Sequence, residues 1–527
     1  MLSTILLLSS LSAPPSIASL PAPRPRPRPR LVVLIAVDQF RPDYLTRFDR
    51  QFTGGFRRIL DQGTVFLNGE QDHAVTVTAP GHSTMLSGRS PASTNVLTDE
   101  LGAPDPAYPI LGAPEATGAS PMRFRGTALF DWMRAADSGA RALSVSRKDR
   151  GAIFPIGRAR QDVYWYVDGR WTTSTYYRDS LPAWLTAYDA RPGARALAGR
   201  AWDLLLPESA YAEPDSEPYE HGGRDFVFPH LLPTDSTQAA DKVIDFPWMD
   251  SLTLDVALEG VRQLKLGRTG HTDLLSISLS STDAVGHAFG PDSREIQDQV
   301  LRVDRWLGQF LDSLSKLVPE DSVVFALTAD HGVTPYPEDL LARHQPGGRI
   351  SLKAIVARLN ATYGPRFSVP FTFAEAAGLI SGDVNALRAR GIDVDSLAGA
   401  VAAEIRALDG VVQVYTPRSL AAASDADSNA GRWRRELPAD FGWLVAGVAK
   451  AGYQWADGPR STEHGTTNSP DVLIPMAFWG EGISAARPAR VVRSVDIGPT
   501  LAWLVGVKPT ERVEGRPLPE VTGAKAR

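Results

Sequence analysis

The chain has 527 residues, 43% of them hydrophobic and 22% charged, with 55 Lys+Arg against 60 Asp+Glu and a net charge of −5. This composition supports a large buried core and excludes disorder as the dominant state, and its mild, evenly spread acidity supplies no basic field for nucleic acid or anionic membrane. Cysteine is absent, which excludes disulfides, thiolate metal sites and thiol nucleophiles, so any metal must sit on His, Asp, Glu or hydroxyl groups.

Residues 4–12 are apolar and are followed by Ser16-Ile17-Ala18, a small-x-small pattern. The run is shorter than the ~20 apolar residues that span a bilayer, and it reads as an export signal over residues 1–20, removed from a periplasmic or secreted protein. Residues 21–30, PAPRPRPRPR, alternate Pro with mutually repelling Arg and read as an extended tether. Leu31 to Val37 is an unbroken, β-branched apolar run, the pattern of a parallel strand buried on both faces, and it ends at Asp38. Leu274–Leu279 repeats that shape and leads to Asp283; Val323–Leu327 repeats it again and leads to Asp330. In open α/β sheets that edge is where ligands bind.

Between the last two strands, Ile296, Val300, Val303, Leu307, Phe310, Leu314 and Leu317 recur at helical spacing, with Asp292 or Ser293 as cap and Pro319 as stop. A further strand at Val472–Trp479 and a helix at Asp496–Val505 are expected to close the sheet. The expected fold is therefore α/β, a mostly parallel central sheet flanked by helices. Two long stretches interrupt it. Residues 156–235 contain an Asp168-Gly169 hairpin signal between aromatic arms, and residues 346–455 contain an amphipathic helix near Leu397–Leu408 and a strand at Val411–Tyr415. The expected organisation is core at 31–155, cap insertion at 156–235, core at 236–345, second insertion at 346–455 and core at 456–520.

Asp283 and His287 lie four residues apart, on one face of a helical turn and within reach of one cation. That pair is weak by itself, as is Asp330-His331-Gly332, a common turn. Their joint placement with Asp38 at the ligand-binding edge is the stronger signal. With His464 the set has six ligands, which divide into two sites of three, the arrangement by which paired metals clamp the attacking and leaving oxygens of phosphoryl transfer. The mixed His/carboxylate donors suit two Zn2+, with Mn2+ as the alternative. Thr78 precedes Pro80 at the start of an expected helix, whose free N–H groups would face an anion; a Thr hydroxyl near such ligands is a candidate nucleophile. His82, one turn further, reads as structural.

The segments VDQFRPDY, TVTAPGHSTMLSGRSP, RKDRGAIFP, SSTDAVGHAFGP, TADHG and EHGTT occur in order across residues 31–510. Together they resemble the alkaline phosphatase superfamily, and within it the periplasmic phosphate-irrepressible alkaline phosphatases related to nucleotide pyrophosphatase/phosphodiesterases. The resemblance implies an alkaline-phosphatase-like core with capping insertions. It implies a Thr78 nucleophile passing through a phosphothreonine, one zinc on Asp283, His287 and His464, and a second on Asp38, Asp330 and His331 with Thr78 bound to it. It further implies that Lys148 and Arg150 contact the phosphoryl oxygens, the mark of the monoesterase branch. The expected partners are small phosphorylated substrates, with no nucleic acid, no transmembrane helix in the mature chain and a monomer favoured. A phosphodiesterase on the same metals is the alternative reading, and a non-catalytic metal- or phosphate-binding relative a further one.

One position departs from the family pattern. Where relatives place an Asn that donates to a phosphoryl oxygen, this chain has Asp99, and an ionised Asp only accepts hydrogen bonds and repels a dianion. Three readings stand: Asp99 turns away, it is protonated or paired with Lys148, or the substrate carries a cationic or hydroxyl group.

Overall fold

The computed structural model describes residues 28–367, 371–458 and 461–523; the export signal and all but the last three residues of the tether lie outside them. Its centre is a nine-stranded sheet in the order Val492–Arg493, Thr64–Glu70, Leu473–Gly480, Val323–Thr328, Leu31–Val37, Asp273–Leu279, Ala142–Ser146, Asp162–Val167, Arg170–Thr172. Leu31–Val37 is buried throughout, as its unbroken apolar run requires, and it runs parallel to both neighbours. Leu31 pairs with Asp273 and with Val323, and Val37 pairs with Leu279. This register makes the three strands end together, so the chain leaves them at one edge with Asp38, the Asp283 turn and Asp330 side by side.

The helix expected between the last two of these strands spans Arg294–Ser315, and Ser293 is its cap, its side chain accepting the Ile296 N–H at 3.1 Å. The expected strand near Val472–Trp479 is Leu473–Gly480, but it does not close the sheet. It lies inside, hydrogen-bonded on both edges and antiparallel to both Thr64–Glu70 and Val323–Thr328; the sheet ends instead on the short strands Val492–Arg493 and Arg170–Thr172.

The hairpin signal forms a hairpin, with Asp168 at φ 48° and Gly169 at φ 76°, the positive values a tight turn of this hand needs. Its arms, Asp162–Val167 and Arg170–Thr172, extend the central sheet beyond Ala142–Ser146. Part of the stretch assigned to a cap is thus core, since Val163, Tyr164 and Trp165 bury their side chains there.

The second insertion builds its own four-stranded antiparallel sheet, in the order Ala374–Ala376, Leu379–Ser381, Trp443–Ala449, Val411–Tyr415. Helices Lys353–Tyr363 and Val394–Arg406 cover it through Ile355, Leu359, Val401, Ile405, Leu444 and Val445. The second of these helices starts three residues before the expected span because the Asp393 side chain caps the N–H groups of Asp395 and Ser396. A smaller apolar cluster packs Trp433 and Trp443 of the insertion on Ala74 and Val75, fixing the turn that leads into Thr78.

Candidate metal centre and nucleophile

Six side chains from four separate segments form two groups, each with ligand atoms within 4.8 Å of one another: Asp283, His287 and His464, and Asp38, Asp330 and His331. Asp38 follows the central strand directly. Asp283 and His287 lie in the first and last turns of helix Ser281–Phe289, so the four-residue interval places both on one face. Asp330 and His331 follow Val323–Thr328, and His464 comes from the loop before Leu473–Gly480. In the first group His287 Nε2 lies 3.3 Å from Asp283 Oδ1 and 3.2 Å from His464 Nε2. In the second, His331 Nε2 lies 3.5 Å from Asp38 Oδ1 and 3.6 Å from Asp330 Oδ2. The His331 and His464 rings stack with centroids 3.7 Å apart, so the groups adjoin.

The donor chemistry fits a metal pair. Each histidine donates its Nδ1–H to a backbone carbonyl: His287 to Thr462 at 2.7 Å, His464 to Thr76 at 2.8 Å and His331 to Gly332 at 2.9 Å. That fixes the tautomer and turns all three Nε2 lone pairs inward, the arrangement that orients metal-ligating histidines. Asp38 Oδ1 and His331 Nε2 are buried without a hydrogen-bond partner, a costly state for polar atoms unless a cation meets them. Burial, with repulsion from Asp283 and Asp330, pushes the Asp38 carboxyl up to about 6. Burial pulls His331 down to about 4, and burial with the neighbouring His331 and His287 pulls His464 down to about 3; both rings are thereby kept neutral.

Thr78 opens helix Thr78–Ser87, which packs so closely on Asp330 that a Cβ on Gly81 would fall 2.3 Å from the Asp330 carbonyl oxygen. A Gly81→Ala substitution is therefore expected to push the helix off Asp330. Bound metal measured by mass spectrometry should fall to about one ion per chain, with a loss of roughly 1–3 kcal/mol of stability, in the range of overpacking changes; two ions retained at unchanged Tm would contradict this packing account.

Lys148 links the groups. Its Nζ lies 2.7 Å from Asp38 Oδ2 and 2.7 Å from Asp283 Oδ2, and it donates to Thr78 Oγ1 at 3.0 Å. Arg150 does not reach these carboxylates; its Nε lies 2.9 Å from Asp99 Oδ2, while Asp99 Oδ1 accepts the Ala79 N–H at 2.8 Å. Asp99 thus neither turns away nor pairs with Lys148, and both its oxygens are engaged by the protein. Burial opposes its ionisation, but Arg150, Lys148 and the Ala79 N–H together hold its pKa below the usual carboxylate value.

All ten residues singled out in the sequence meet here. One further residue went unrecognised. Gln39, at a positive φ of 62°, donates its N–H to Asp330 Oδ1 and its side-chain Nε2 to Asp283 Oδ1, both at 3.1 Å, and so braces both groups; its position just after a buried strand and beside Asp38 was the available signal. His82, read from the sequence as structural, is buried, donates Nδ1–H to the Thr78 carbonyl at 2.9 Å and lies 3.2 Å from Asp330 Oδ2, placing it between the nucleophile turn and a candidate ligand.

A mostly parallel α/β sheet with two adjoining Asp/His triads and a Thr at a helix start at its edge defines a phosphoryl-transfer class of hydrolase site. A family model described as type I phosphodiesterase / nucleotide pyrophosphatase matches residues 32–469, and the chain belongs to that family. It is 31% identical over 498 residues to alkaline phosphatase PhoV of Synechococcus elongatus, covering 91% of this chain and 90% of that protein. Alkaline phosphatase PafA of Elizabethkingia meningoseptica is 29% identical to it over 94% of each chain. The crystal structure of wild-type PafA superposes with a TM-score of 0.85 at 28% identity, over 94% of this chain and 99% of that one. A PafA variant structure carries replacements at a threonine, an asparagine, a lysine and an arginine. Its threonine and asparagine are separated as Thr78 and Asp99 are, and its lysine and arginine as Lys148 and Arg150 are.

Proposed function

We propose that the chain is a metal-dependent phosphate monoester hydrolase of the alkaline phosphatase type that works through a phosphothreonine at Thr78. The reading rests on one observation above others: Lys148 Nζ sits 3.0 Å from Thr78 Oγ1 and 2.7 Å from a carboxylate of each ligand group, so hydroxyl, cation and both triads converge on one point. Asp283, His287 and His464 would hold one Zn2+ and Asp38, Asp330 and His331 the other, three His and three Asp being a donor set that suits zinc. Bound there, the pair supplies Lewis acidity that lowers the pKa of a coordinated hydroxyl and stabilises a leaving oxygen.

The chain's own groups do the rest. Thr78 Oγ1 releases its proton to solvent and attacks phosphorus in line; the Oγ1–P bond forms as the ester P–O bond breaks, and the departing alkoxide takes a proton from water. Lys148, already donating to Oγ1, stabilises the alkoxide form and the charge on the phosphoryl oxygens. Water then attacks phosphorus, the Oγ1–P bond breaks, the water's proton passes to the released Thr78 Oγ1 and inorganic phosphate leaves. Small phosphorylated molecules are the substrates. The export signal read over residues 1–20 supports a periplasmic or secreted location, and no helix among the described residues is long and apolar enough to cross a membrane.

The family name favours a second reading, a diesterase on the same metals. A monoester dianion gains more than a diester monoanion from a buried ammonium, and Lys148 is the buried cation of the site. The test is kcat/KM for phenyl phosphate against diphenyl phosphate; a preference for the diester would overturn the monoesterase reading. Lys148→Ala is expected to lower kcat/KM for the monoester by about 10²–10³-fold, the usual cost of a lost transition-state donor, and to lower it far less for the diester. Equal losses for both substrates would show that Lys148 does not discriminate charge.

A further inference from the structure

Asp99 is placed where it competes for the donors an incoming phosphoryl group needs. The nucleophile helix has few to offer. Pro80, its third residue, has no N–H, and the Gly81 N–H is taken by the Val77 carbonyl at 3.1 Å. The Thr78 and Ala79 N–H groups are the remaining donors of that first turn, and Asp99 Oδ1 occupies the second at 2.8 Å. Asp99 Oδ2 lies 2.9 Å from Arg150 Nε, so the same carboxylate also holds the guanidinium. A carboxylate across a helix start, paired with an arginine, satisfies the two kinds of group that bind phosphate.

We propose that Asp99 is a specificity-determining residue acting as a resident anion of the phosphoryl seat: it caps Ala79, neutralises Arg150 and thereby weakens the hold of the site on a phosphate dianion, the product above all. Because both oxygens are engaged by the protein, Asp99 acts on the bound phosphoryl group through charge and through Arg150. The physical consequence is discrimination by charge. Inorganic phosphate and a monoester both carry two negative charges against the carboxylate, whereas a diester carries one, so Asp99 penalises the dianions about twice as much.

This inference deepens the monoesterase reading and rests on it for the identity of the ligand. Its test is inorganic phosphate binding to the zinc-loaded full chain by isothermal titration calorimetry, wild type beside Asp99→Asn, which keeps an oxygen acceptor for Ala79 and removes the charge. The Asn variant is expected to bind phosphate about tenfold more tightly, the scale of one freed charge-assisted contact. Its ratio of kcat/KM for phenyl phosphate over diphenyl phosphate is expected to rise about threefold, because losing one charge relieves the monoanionic diester by about half as much free energy as the dianion. If Asp99 served only as a helix cap, the Asn variant would match wild type in both measurements, and Asp99→Ala, which loses the acceptor, would differ only in Tm; that pattern, or weaker phosphate binding in the Asn variant, overturns the proposal. Asp99→Ser, also uncharged, replaces the Asn variant if that one fails to fold. A wild type that hydrolyses no ester would defeat the functional reading, while the calorimetric comparison would still decide the role of Asp99.

Discussion

Thr78→Ala is expected to remove ester hydrolysis, by roughly 10⁴–10⁶-fold as for loss of a catalytic nucleophile, while two metal ions stay bound. The reason is geometric. Thr78 is buried and its Oγ1 is the hydroxyl to which Lys148 donates at 3.0 Å. Its backbone is held from three directions, by Ala74 and Val75 against the insertion, by His82 on its carbonyl and by Gly81 against Asp330. Removing one hydroxyl from so fixed a residue deletes the reacting atom and leaves the six ligands in place. Steady-state hydrolysis of phenyl phosphate, metal content by mass spectrometry and acid-quenched labelling of the protein by the phosphoryl group check this together. Thr78→Ser, which restores a hydroxyl at the same position, should retain measurable turnover and labelling. Hydrolysis by the Ala variant within tenfold of wild type would eliminate the phosphothreonine route.

The second large effect is expected on removing metal. Asp38, Asp283 and Asp330 are buried, Asp38 and Asp330 within 4.8 Å of each other, and Lys148 is the ammonium that reaches Asp38 and Asp283, at 2.7 Å each. The protein's own cations compensate that charge only in part, and the Asp38 carboxyl is pushed up to about 6 by burial and by Asp283 and Asp330. Exhaustive chelation should therefore abolish hydrolysis and also lower Tm by several degrees, since an ion present at a thousand times its Kd stabilises the folded state by about 4 kcal/mol per site. Adding Zn2+ back should restore both. The stability arm separates a resident metal from one that merely assists substrate binding, and full activity with unchanged Tm after complete chelation would remove the metal centre from the account.

Much of this site is legible in the sequence because its parts are local. Leu31–Val37, Asp273–Leu279 and Val323–Thr328 announce themselves by unbroken apolar runs, and each is followed within a few residues by its ligand. The Asp283–His287 interval matches the turn of a helix, and Gly beside His331 and His464 marks loops rather than strands. Leu473–Gly480 is legible as a strand but not in its position, because an apolar run states that it is buried on both faces and not which neighbours bury it. The hairpin at Asp168-Gly169 is likewise plain as a turn, while its membership in the central sheet depends on a pairing with Ala142–Ser146 that periodicity does not encode.

By itself the sequence determined the class of the fold, six candidate ligands, the candidate nucleophile and the oddity of a carboxylate at position 99, since each depends on residue type and short spacing. Only the tertiary structure decided what these groups touch. His464 lies 177 positions from the His287 it faces at 3.2 Å, Gln39 spans two ligand groups, and Asp99 takes Arg150 and the Ala79 N–H rather than Lys148. Contacts of that kind are set to within an ångström by how distant segments pack, and interactions of charge and hydrogen bonding change sign or vanish over that distance.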